Sequence, residues 1–407
     1  MFFSRTNDKT LAIPHVKMKP RKGYTCQEDA MQDCWQVTPE GGFLLSPAPL
    51  THLGAVESPL PKEHIEHLES LIANLPTLIA EKRIREEIAK LPDYNITAYL
   101  PETPCRVVER LFSIYGLLTS AYVHMDAEAP VSSLPPQLAR PLYALGAHTQ
   151  RPPMLSYASL ILSNWRRKAA DASLTLERLD TLSTFTNYPD ERWFYLVHVA
   201  IEARAGRIFE AVRKLLDAIP HEDDTVIQPQ FREIGRGITD LTQLLHKMGE
   251  GCDPKVYFYH LRPYMMSFSN IIFEGVPELK GEPQNLRGGS GAQSSIVPAL
   301  LTVLGIDHRQ TELTAHLRGM LPHMPKPHRD YIMQLPHQTI REYVRRTPHL
   351  IADYNYCLHQ LMTFRRAHLY YAKTYIFARS HNVIGTGGTS FMRFLAQLID
   401  ETRVHLL

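Results

Sequence analysis

The chain has 407 residues, 44% of them hydrophobic and 21% charged. That length and composition suit two or three domains with sizeable cores and exclude a largely disordered chain. Lys and Arg number 44 against 42 Asp and Glu, a formal charge of +2, so no basic excess marks a nucleic-acid or membrane-surface binder. The longest uncharged apolar run, 294–306, contains Pro298 and is too short to span a bilayer. The start, MFFSRTNDKT, lacks an apolar signal core with a cleavage site. The five cysteines (Cys26, Cys34, Cys105, Cys252 and Cys357) show no CxxC spacing. Neither a disulfide framework nor a zinc ribbon is expected, and a cytoplasmic protein is.

In chain order, residues 1–60 carry many Pro and Gly and read as an irregular surface arm, tacked down by Cys34, Trp35 and GGFLL at 41–45. From Lys62, apolar residues at Ile65, Leu68, Leu71, Ile72, Leu75, Leu78 and Ile79 predict helix, cut by Pro76 into two short pieces. A further helix is predicted over 104–122. The segment 124–153, with six prolines, reads as a linker that closes a small helical domain at 61–150. Beyond it, a large helical domain at 151–407 shows helical patterns at about 154–170, 174–184, 190–218, 226–249, 253–268, 293–304, 309–320, 327–334, 338–346, 349–379 and 390–405. Without a long alternating run or a solenoid repeat, the expected fold class is all-α.

Two glycine-rich stretches, RGGSGAQSS (287–295) and GTGGTS (385–390), match neither a P-loop, a nucleophile elbow nor a dinucleotide fingerprint. They are either plain helix-linking loops or, with their hydroxyl side chains, loops that approach a ligand closely. On the helix over 349–379, Cys357, Leu361, Phe364, His368, Tyr371 and Tyr375 fall on one face. His368 is then either a core histidine bonded to a carbonyl or an imidazole that holds haem iron in an apolar slot, with Arg365 reaching a propionate. His198 shares a face with Phe194, Val197 and Ile201. In DPKVYFYHLRPYM (253–265), Arg262 beside Tyr257 is either a surface arginine or a bidentate partner for a carboxylate. HIEH (64–67) and HRD (328–330) lack the remainder of any metal or kinase motif and read as solvated.

Taken together, RPPMLSYASLILSNWRRK (151–168), WFYLVHVAIEA (193–203), DPKVYFYHLRPYM (253–265), GGSGAQSS (288–295), MPKPHRDY (324–331), FRRAHLYYAKTYI (364–376) and GTGGTSFM (385–392) resemble the indoleamine 2,3-dioxygenase family, in order and over nearly the whole chain. The resemblance implies an all-helical enzyme, with a small N-terminal domain capping a large haem-binding one. It puts His368 on the proximal ligand of the iron of haem b, and Arg365 on the propionate-pairing arginine. Phe194 and Tyr257 fall on the walls around the substrate indole, Arg262 on the group that binds its carboxylate, and Ser290 and Thr386 on substrate and propionate contacts. Tyr157 and Leu160 fall on the distal floor. Tyr257 stands where phenylalanine is usual, and His198 where the vertebrate enzymes carry serine.

The activity so implied opens the indole C2–C3 bond of L-tryptophan, or a related indole, with O2 to give N-formylkynurenine. It needs a reductant for ferric haem and no flavin, nicotinamide, nucleic acid or membrane partner, and a monomer is expected. His198 is expected to accept the indole N–H. Two alternatives stay open from the sequence: a haem-dependent monooxygenase or peroxygenase acting on an aromatic, and a haem-binding helical protein without turnover.

Overall fold

A computed structural model describes residues 34–126, 129–380 and 391–407. The N-terminal part holds helices α1 (Lys62–Ala80), α2 (Ile84–Ala89) and α3 (Cys105–His124). Pro76 does not divide α1. The buried stripe Leu68, Ile72, Leu75, Leu78 and Ile79 runs across it, so packing outweighs the single hydrogen bond that proline forgoes. The helix stops instead at Lys82, which has a left-handed φ of 57°, with Arg83 N bonded to Leu78 O at 2.8 Å.

The proline-rich segment after α3 is no extended linker. After the two-residue strand β1 (Ser133–Leu134), helix α4 occupies Pro136–Thr149 with Pro136 in its first turn and Pro141 inside it. Just beyond it, Arg151 pairs with Glu109 of α3 at 2.7 Å, both fully buried, and Glu109 also accepts the Trp35 indole N–H at 3.0 Å. The arm, α3 and the chain after α4 thus share one buried charge pair.

The helix predicted over 154–170 is replaced by a π turn, Ala158–Leu162, and strand β2 (Trp165–Arg167). β2 pairs antiparallel with β3 (Leu179–Thr181), so 174–184 holds one 3-10 turn (Leu176–Arg178) and a strand in place of a continuous helix. The Asn164 side chain, bonded to both Ser183 N and Ser183 O at 2.9 Å, fixes that pairing.

Three long helices follow the predicted pattern: α5 (Pro189–Ala218), α6 (Asp224–His246) and, later, α11 (Ile351–Ala372). α5 opens with Pro189, Asp190 and Glu191, a helix-start composition. α6 is capped by Asp223, which accepts from Thr225 N. It packs against both α5 and α11 through Ile227, Phe231, Ile234, Ile238, Leu241 and Leu245.

The predicted helix at 253–268 is three short pieces: an α turn Pro254–Val256, a π turn Tyr257–Leu261 and a 3-10 turn Arg262–Met265. Strand β4 (Phe268–Phe273) then pairs with β1 in parallel and with β5 (Gln284–Leu286) antiparallel. Short helices α7 (Ile296–Val303), α8 (Glu312–Arg318), α9 (Lys326–Gln334) and α10 (Thr339–Arg346) lead to α11. α11 runs into a third π turn, Lys373–Phe377, and α12 (Phe391–Arg403) packs back along it. The fold is all-α with short strands at its margins. Among the described residues, no helix is long and apolar enough to cross a membrane.

The described part of the arm, 34–60, is tacked down where the sequence suggested, with Trp35, Phe43, Leu44 and Leu45 all at most 1% exposed. Its turn at Thr38–Gly42 lies directly on α5. A Cβ on Gly206 would come within 2.3 Å of Thr38 O, and one on Gly42 within 1.9 Å of Glu202 O. Only glycine at both positions lets the two backbones meet.

Candidate functional site

A cavity of about 560 Å³ lies between α5 and α11, roofed by the loop at 288–295 and by α7, α8 and α12. That volume is in the range of small-molecule and cofactor sites. All three π turns reach its wall, through Leu160 and Ile161, Tyr257, and Tyr375 and Ile376. The extra residue in a π turn re-aims side chains, which is why such turns gather at functional sites.

His368 projects from α11 into this space. Its ring is exposed, yet protein surrounds it, so that exposure opens onto the cavity. Burial, then the nearby His198, lowers its pKa to about 4; the imidazole is neutral at pH 7, the form that binds a metal.

His198 enters from α5, four residues after Phe194. Its Nδ1 lies 2.8 Å from Phe194 O. A carbonyl only accepts, so Nδ1 carries the proton and Nε2 is the acceptor. Burial lowers the His198 pKa, against a smaller opposing effect from that carbonyl. His198 is therefore a carbonyl-bonded histidine that also lines the cavity.

An aromatic arc continues the wall. Phe194 packs on His198 at 4.6 Å and on Tyr257 at 5.0 Å, and Tyr257 meets Tyr375 at 5.6 Å between ring centres. Tyr157, Leu160 and Ser290 also line the cavity. Ser290 caps a short turn, accepting from Ala292 N at 3.3 Å. Its loop is pinned by Gln293, which accepts from Tyr157 N at 2.8 Å and donates to Gly288 O at 2.9 Å. A Cβ on Gly288 would strike Met265 O at 2.1 Å, so the loop backbone rests directly on the 3-10 turn.

Arg262 is not on the cavity wall. It follows the Tyr257 turn with its guanidinium 5.3 Å from the Phe258 ring centre, and burial lowers its pKa while Tyr257 opposes that. Arg365 does line the cavity, held by Leu398 O, Thr402 Oγ1 and His308. Thr386 lies outside the described residues. Cys34, Cys105, Cys252 and Cys357 are buried free thiols.

Glu202 was not foreseen. It is the one carboxyl among the described residues that line the cavity, accepting from Tyr157 OH at 2.9 Å and Ser294 OH at 2.6 Å. Burial raises its pKa to about 7 against those two bonds. Its position one turn after His198 was the available signal. Two histidines expected in solvent are buried instead. His64 stacks on Tyr94 at 3.9 Å and meets Tyr115 OH at 2.7 Å. His328 packs edge-on against Trp35 and Phe43.

The neutral His368 and the largely apolar, aromatic walls suit a planar hydrophobic cofactor held through an imidazole. Comparison with known proteins identifies the family. The family model of indoleamine 2,3-dioxygenase matches residues 31–383. Rat indoleamine 2,3-dioxygenase 1 is 30% identical, covering 97% of this chain and 99% of its own. The indoleamine 2,3-dioxygenase of Saccharomyces cerevisiae is also 30% identical, covering 90% and 91%. That of Aspergillus nanangensis, nanC, is 27% identical, covering 92% and 97%. A match across this much of the chain makes the protein an oxidoreductase of the indoleamine 2,3-dioxygenase family.

Proposed function

We propose that the protein is a haem b-dependent dioxygenase that cleaves the indole C2–C3 bond of L-tryptophan with O2 to give N-formylkynurenine. The observation that carries this reading is a neutral His368 from α11 and His198 from α5 lining one largely apolar, aromatic cavity. Ferrous haem, when bound, supplies the site at which O2 is bound and activated. His368 would hold the iron and Arg365 a propionate.

The protein's own part is binding, orientation and exclusion of water. Phe194, Tyr257 and Tyr157 form flat walls suited to an indole, with Leu160 beneath. His198 Nε2 is an acceptor for the indole N–H, the donor that would otherwise be buried unpaired at a cost of ~1–3 kcal/mol. Arg262, on the turn beside Tyr257, would take the amino acid's carboxylate. Ser290 would contact substrate and propionate, and Thr386, beyond the described residues, takes the same contacts from the resemblance. A cytoplasmic monomer served by a separate reductant for ferric haem completes the reading.

The test uses the purified protein, reduced and mixed with L-tryptophan in air. The reading requires a haem spectrum and growth of N-formylkynurenine absorbance, both lost in His368→Ala. A His368→Ala protein that keeps haem binding and turnover would refute the ligand assignment.

A further inference from the structure

Helix α12 returns along α11 beside the turn that precedes His368, and the polar groups between them form a chain. Arg365 donates through Nη1 to Leu398 O and Thr402 Oγ1, and its Nη2 lies 3.3 Å from His308 Nε2. His308 Nδ1 meets Glu401 Oε2 at 2.6 Å. A carboxylate accepts and a guanidinium donates, so Nδ1 carries the proton, Nε2 is bare, and the chain runs Arg365 to His308 to Glu401. The second Glu401 oxygen accepts from Gln397 at 2.7 Å, with Arg309 Nε at 3.4 Å. His308, Arg365 and Glu401 are only 7%, 4% and 2% exposed.

A buried guanidinium ordinarily takes a carboxylate directly. Here a neutral imidazole separates the two. Burial pulls the Arg365 pKa down to about 10, and Glu401 opposes that from one residue away. Of the five N–H donors of a guanidinium, three are engaged by Leu398, Thr402 and His308. That leaves Nε and one N–H of Nη2, which we assign to the lateral edge of the planar fork, the edge that takes a carboxylate bidentately. Had Glu401 paired with Arg365 directly, it would have claimed a fork of this kind.

We propose that His308, backed by Glu401, is a positioning residue for Arg365: it holds the guanidinium by its end and relays counter-charge, leaving the lateral edge for a propionate of bound haem. The inference rests on the haem reading above.

The test measures cofactor release from the full-length protein. It is loaded with haem or with haem dimethyl ester, whose side chains carry no charge, and release is followed by transfer to excess apoglobin. The parent should release the ester about tenfold faster than haem, the worth of one charge-assisted hydrogen bond. His308→Leu should release haem about tenfold faster than the parent does, with the ester rate little changed, so that the preference collapses. His308→Gln, which keeps an acceptor for Arg365 and a donor for Glu401, should retain most of it. If His308→Leu does not fold, Glu401→Gln, which keeps the side-chain shape, should show the same collapse. A variant that speeds both releases equally, or keeps the full preference, overturns the proposal, as does a parent that binds haem without preferring it to the ester. A parent that binds neither removes the haem reading beneath it.

Discussion

The bond from His198 to its own helix, Nδ1–H to Phe194 O, sets the tautomer of the ring before any ligand arrives. Serine at this position would offer a weaker and more mobile acceptor. His198→Ser should therefore retain activity, reduced roughly ten- to a hundredfold. It should also discriminate less against 1-methyltryptophan, which has no N–H to donate; steady-state rates on both substrates check this. Arg262 stands beside Tyr257 rather than on the wall, so its contribution should appear in substrate affinity. Arg262→Leu should raise KM for L-tryptophan more than tenfold and leave turnover of tryptamine, which has no carboxylate, nearly unchanged.

Glu202 sets a pH dependence of its own. Its folded pKa of about 7 lies above the ordinary 4.5, so the fold favours the protonated form. Its stabilising contribution is fully present below about pH 4.5 and is lost as pH rises through 7. Glu202→Gln removes that loss, so the variant should gain stability relative to the parent between pH 5 and pH 8, on the order of 1–3 kcal/mol, by chemical denaturation. The sequence offered the place of Glu202 one turn after His198 but not its raised pKa, because its partners Tyr157 and Ser294 lie far along the chain. The same reason hid the burial of His64 and His328, whose aromatic neighbours come from distant segments.

At the scale of elements, periodicity located the long helices α5, α6 and α11 well, because each buries a stripe at three- and four-residue spacing. It did not reveal the π turns at Ala158–Leu162 and Tyr257–Leu261, since one wider turn barely disturbs that spacing over five residues. Those turns carry part of the cavity wall, so the sequence singled out residues that line it without showing how they are aimed. In the sequence Pro76 and Pro141 mark breaks, yet both sit inside helices whose buried faces hold them. The arm has no regular periodicity, and its docking rests on the backbone approach at Gly42 and Gly206. Gly206→Val should push the Thr38–Gly42 turn off α5, lowering stability by ~1–3 kcal/mol. Thermal unfolding and limited proteolysis within 34–60 would register it, with cleavage there faster than in the parent.

For the whole molecule, the all-α class was readable from composition and pattern. α6 follows α5 directly, but the packing of α11 against α6, which brings the α11 wall of the cavity into place, joins segments more than a hundred residues apart. A division into a small N-terminal and a large C-terminal domain remains our proposal, with the buried Glu109–Arg151 pair joining α3 to the start of the second part. In the reaction we propose, both atoms of one O2 enter the indole, and the largely apolar cavity walls would keep water from its reactive intermediates. The most direct test is mass spectrometry of the product formed from L-tryptophan under ¹⁸O₂ in ordinary water, quenched before exchange. The account predicts N-formylkynurenine carrying two labelled oxygen atoms; a product with a single labelled oxygen would contradict it.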